Sequence, residues 1–90
     1  MPQQQSNKQE LFQESVDSAI RRLLGTSDGK DFLLWLLSQT HVLESCFRPD
    51  PQTTAFLLGK QDVGITLMAR LTEVDSNNWT KLTERSKENA

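Results

Sequence analysis

The sequence predicts a small all-α protein, a helical bundle of three main helices plus a short C-terminal one, and three observations carry that expectation. Apolar residues recur at three- and four-residue spacing from Phe12 to Leu23 and from Phe56 to Val74. Clusters of caps and breakers punctuate those segments at Gly25-Thr26-Ser27, Arg48-Pro49-Asp50-Pro51 and Asp75-Ser76-Asn77-Asn78. The longest continuous apolar run, Phe32 to Leu37, holds no β-branched residue and lies between good caps, which favours helix over buried strand. Ninety residues, 36% of them hydrophobic, make one core. A chain of this length buries only ~60–65% of its unfolded surface and has nothing left for a second domain.

Residues 1–6 (MPQQQS) are polar and have nothing to bury, so they are expected to be a disordered tail ahead of a single domain over 7–84. Ser6 with Gln9 has the spacing of a capping box, which starts the first helix near residue 7. Its stripe is Phe12, Val16, Ala19, Ile20 and Leu23; Arg21 and Arg22 suit the negative end of the helix dipole, and Gly25 closes the helix after Leu24. Thr26 or Ser27 then caps a second helix over 27–40, with Asp28 and Asp31 at its favourable end. Being apolar on every face, this helix is expected at the centre of the core with Trp35 as its anchor, so that Trp35→Ala should cost ~3–5 kcal/mol.

A bend is expected near Thr40-His41, with His41 in a strained junction position and Val42, Leu43, Cys46 and Phe47 forming a short turn over the core. Asp50 and Pro51 read as N-cap and first residue of a third helix over 51–74, ~35 Å long, whose stripe is Phe56, Val63, Leu67, Leu71 and Val74. Gly59 and Gly64 flank that stripe, marking either close helix approach or a kink. A short fourth helix near 76–86 supplies Trp79 and Leu82, and residues 85–90 should fray into solvent.

Twelve acidic and ten basic residues are mixed along the chain for a net charge of −2. No stretch offers the positive stripe that a phosphate backbone requires, so direct nucleic-acid binding is not expected. The run Phe32–Leu37 is far short of the ~20 residues that cross a bilayer, and the amino terminus has the pattern of no leader peptide. One cysteine and one histidine permit neither an internal disulfide nor a zinc-finger ligand set, and they fit a reducing compartment.

Nothing in the pattern promises catalysis. His41 and Cys46 would point ~140° apart on a continuous helix, and no third group orients them. The Gly25-Thr26-Ser27-Asp28-Gly29 segment precedes a helix amino terminus but lacks the strand, spacing and lysine of a phosphate loop, so capping is its plain reading. The pairs Asp28/Asp31 and Glu10/Glu14 share helix faces without a cleft to shift their ionisation. No enzyme activity, metal or cofactor is therefore expected. Lys60 stands inside an apolar stripe, where it must snorkel to the rim or contact another protein.

The blocks Arg21-Arg22-Leu23-Leu24-Gly25, Gly29-Lys30-Asp31-Phe32-Leu33-Leu34-Trp35-Leu36-Leu37 and Thr54-Ala55-Phe56…Gly59-Lys60-Gln61-Asp62-Val63-Gly64 together resemble the Bbp-type small bacteriophage proteins, named from a Bordetella short-tailed phage. The resemblance spans about residues 16–72. Two departures stand out: His41 takes the place of a glycine, and Gln61 that of a basic residue. What the resemblance implies is an association with phage genomes and their particle genes, and no enzymatic activity.

Function is accordingly expected to be protein–protein binding. Leu57, Leu58, Ile65 and Met68 lie outside the main stripe of the third helix, and with Lys60 and Trp79 they form the candidate surface for a partner or for self-association into a homo-oligomer. The rival arrangement folds the fourth helix back over that surface through Trp79 and Leu82. Two roles suit such a chain in the host cytoplasm or the virion. One is a phage structural or assembly accessory docking on a head or tail-connector component; the alternative is an early regulator that binds and inhibits a host protein.

Overall fold

In a computed structural model, the backbone is described for residues 2–89 and side chains for residues 7–89. Four helices follow one another: α1 (Pro2–Leu24), α2 (Ser27–Gln39), α3 (Pro51–Val74) and α4 (Asn78–Glu88), with no strand among the described residues. The interior ends of these helices follow local chemistry. The Gly25 N–H donates back to the carbonyls of Arg21 and Arg22 at 3.1 and 3.2 Å, and Thr26 caps α2 by accepting from the Gly29 N–H at 3.0 Å. Asp50 caps α3 through the N–H groups of Gln52 and Thr53, just ahead of Pro51 at the first helical position.

The chain ends depart from expectation. α1 begins at Pro2, so Ser6 lies inside the helix rather than capping it, and residues 2–6 extend the helix instead of forming a tail. Proline is preorganised for a first turn, and glutamine is a good helix former. Met1 and Ala90 lie outside the described residues. At the other end α4 runs to Glu88 rather than fraying at 85, because Arg85 is held by Asp31 of α2 through two hydrogen bonds of 2.8 and 2.9 Å and Asn89 reaches the same carboxylate at 2.8 Å.

The core joins all four helices through Ile20, Leu24, Leu33, Leu37, Leu71 and Leu82, with Val16, Leu34, Leu67 and Met68 packed partly against it. Trp35 is not its anchor; it is 56% exposed and tilts against Phe32 at 6.0 Å between ring centroids. α2 packs chiefly on α1 and α4, so an all-apolar helix buries the Gly29-Leu33-Leu37 row and leaves Phe32 and Trp35 outside. α3 keeps the C-terminal part of its expected stripe and is turned from the rest: Leu71 is buried with Leu67 and Val74 packed against the core, whereas Phe56 and Val63 are exposed and Gly64 is buried instead. The reason lies at Gly64, where a Cβ would stand 2.7 Å from the Thr40 Cβ and 2.9 Å from the Val42 Cβ. The glycine side is the side that approaches; at Gly59 the same atom would meet open space.

Between elements, two bidentate pairs act as ties: Arg70 with Asp17 joins α3 to α1, and Arg85 with Asp31 joins α4 to α2. The molecule measures 48 × 37 × 18 Å.

Candidate functional site

The junction after α2 is built around His41, whose φ of 54° is the one positive value at a non-glycine residue among the described residues. Thr40 ends α2 by turning its hydroxyl onto the Leu37 carbonyl at 2.7 Å, and His41 then reverses the chain. Gln61 of α3 donates its amide to the carbonyls of His41 (3.1 Å) and Glu44 (3.0 Å), satisfying acceptors that the broken helix leaves open. His41 Nδ1 lies 2.9 Å from the Glu44 carboxylate. Cys46 is buried with its Sγ 3.9 Å from the Glu44 carbonyl oxygen, so histidine and cysteine engage different groups of the same residue. Of the turn residues expected over the core, Val42 and Cys46 are covered to different degrees, while Leu43 and Phe47 stand 69% and 79% exposed.

This junction forms one wall of a groove of about 340 Å³, with Leu34 and Leu37 of α2 and Trp79 of α4 among its other lining residues. A second groove, about 430 Å³, lies between α1 and α3; Val16, Ile20, Val63 and Leu67 are its apolar lining, with Asp62 and Arg70 as its charged groups. Arg70 is committed to Asp17, whose carboxyl that guanidinium holds below the usual carboxylate range. The Asp31 carboxyl is lowered further, to about 2, first by Arg85 and then by Asn89. Asp50 and Asp75 are lowered by the Thr53 and Lys81 contacts respectively. Each of these carboxylates belongs to a cap or a tie between segments.

The six residues expected to form one partner surface fall on separate faces. Lys60 turns its ammonium to the Phe56 ring at 4.8 Å from the centroid, a cation–π contact one turn back along α3. Leu58 and Ile65 are half exposed and share a face of α3. Met68, expected outside, packs on the core, and Leu57 is partly covered, because the turn of α3 about Gly64 brings that side inward. Trp79 lines the first groove. α4 lies chiefly on α2, so it does not cover Leu58 and Ile65.

Residues the sequence reading placed inside provide the larger exposed surface: Phe12 is 71% exposed, Phe56 63% and Val63 62%, joined by Leu11. The signal for this was helix length. α1 and α3 run 23 and 24 residues against 13 and 11 for α2 and α4, so the short helices cannot cover the long ones. Among the described residues no cluster of three or more His, Cys, Asp or Glu could hold a metal, and no helix is long and apolar enough to cross a membrane.

A family model described as Bbp19-like phage protein matches residues 20–82. No curated protein and no solved structure matches the chain. The matched span opens at Ile20 and closes at Leu82, both buried, and so takes in every core leucine, the His41 junction and both glycine-flanked turns of α3. It exceeds half of the sequence, and the chain therefore belongs to the Bbp19-like phage protein family.

Proposed function

We propose that the protein is a non-enzymatic structural or assembly accessory of a phage, working by self-association and by docking on a larger head or tail-connector component. The observation that supports this reading most is the balance of apolar surface. Among the described residues, eleven large hydrophobic side chains are 45–79% exposed, against seven buried hydrophobic residues. Apolar surface left in water on this scale suits a chain that covers part of it by binding, since a monomer gains nothing from leaving it exposed. The mixed surface charge and the family membership suit the same role.

The test is location and stoichiometry. Mass spectrometry of purified virions and assembly intermediates should find the chain in defined copy number with a head or connector protein. Absence from both, with capture of a single host protein at equal stoichiometry from infected cells, would replace this role with that of an early regulator acting on the host.

A further inference from the structure

Lys8, Phe12, Val16 and Ile20 stand at four-residue intervals on α1, forming a single inclined row along the helix. The row changes character along its length. Val16 and Ile20 line the groove against α3, whereas Phe12, one turn earlier than Val16, is 71% exposed and Lys8 is exposed. One stretch of helix thus carries both an unburied aromatic knob and one wall of an apolar groove. Glu10 and Glu14 lie on the opposite side of α1 from Phe12, so the knob side is free of acidic groups.

We infer that the groove between α1 and α3 receives α1 of a second copy of this chain, packed antiparallel about a two-fold axis so that Phe12 of each copy enters the groove of the other. The inference rests on the self-association reading above and specifies its surface. Three features favour a second copy over an unrelated occupant. Knob and groove lie on the same continuous row, so a two-fold axis near its middle places each Phe12 beside the partner copy's groove, and one patch satisfies itself. Rows of residues four apart are the ridges that interdigitate in the commonest helix–helix packing. The charges also match: Lys8 is the one cation on the outer half of the row, and Asp62 is a carboxylate of the receiving groove. Neither has an ion-pair partner among the described residues. Arg70, the other charged group there, is already neutralised by Asp17.

Sedimentation velocity on the full chain over a wide concentration range tests the arrangement, with circular dichroism melts to establish that each variant folds. The parent should sediment as a dimer, and Phe12→Asp, at an exposed position, should leave a folded monomer. Lys8→Asp and Asp62→Lys should each weaken the dimer about tenfold, because each places like charges together twice across the two-fold axis. The double variant Lys8→Asp/Asp62→Lys should regain the parent affinity, and an equimolar mixture of the two single variants should form a heterodimer. A folded Phe12→Asp that still dimerises, or a double variant and mixture that show no recovery, would overturn this interface while leaving self-association intact. A parent that stays monomeric at high micromolar concentration would remove both.

Discussion

His41 is held in a left-handed backbone conformation that disfavours any residue with a Cβ and favours glycine. His41→Gly should therefore raise stability by ~1 kcal/mol, read as a higher urea midpoint with unchanged slope, even though the 2.9 Å contact to Glu44 is lost. A lower midpoint would show that this contact outweighs the backbone strain. The two glycines of α3 should respond with opposite signs to alanine. At Gly59 nothing stands in the way, and Gly59→Ala should gain ~0.5–1 kcal/mol from helix propensity. At Gly64 the new methyl meets Thr40 and Val42, and Gly64→Ala should lose ~1–3 kcal/mol by overpacking. Nothing in the sequence separated these two glycines, because close approach depends on which side of α3 meets the α2 junction.

At the scale of elements, α2 shows how composition and burial part company. Leu33→Ala, at 2% exposure, should cost ~2–5 kcal/mol, whereas Trp35→Ala, at 56% exposure, should cost well under that; thermal melts of the two variants make the comparison. The order would be reversed if Trp35 were the anchor. Helix existence was legible in the sequence because caps are local: Thr26, Asp50 and Gly25 act within three or four residues, and the limits of α3 came out as read. What was not legible depends on partners distant in sequence. The face that α3 buries follows from Thr40 and Val42, and the persistence of α4 follows from Arg85 reaching Asp31, 54 residues away. Asp31→Asn should accordingly speed amide exchange in the last turns of α4 at neutral pH while leaving α1 unchanged. Equal exchange rates in α4 would mean that Leu82 alone holds the helix.

For the molecule as a whole, the pH dependence follows from the same ties. Asp31 has its folded pKa lowered from 3.8 to about 2, and Asp17, Asp50 and Asp75 are shifted in the same direction. These groups add stability that is fully present above the ordinary carboxylate range and lost as pH falls from about 4 towards 2. Melting temperature should fall across that window, and Asp31→Asn should flatten the fall; an unchanged profile would exclude Asp31 as a contributor. The short dimension of 18 Å bears on something else. Two helices packed ~8–10 Å apart, each with a backbone radius of ~2.3 Å, span about 13–15 Å of backbone, so the molecule is about two helices thick. Such a plate has one thin interior layer, and strict steric demands fall on the residues along that mid-plane: Ile20, Leu24, Leu33, Leu37, Leu71 and Leu82, with Gly29 and Gly64. Elsewhere the two broad faces are free to diversify without unfolding the chain. In a saturation mutagenesis screen scored for folding alone, the intolerant positions should therefore trace that mid-plane.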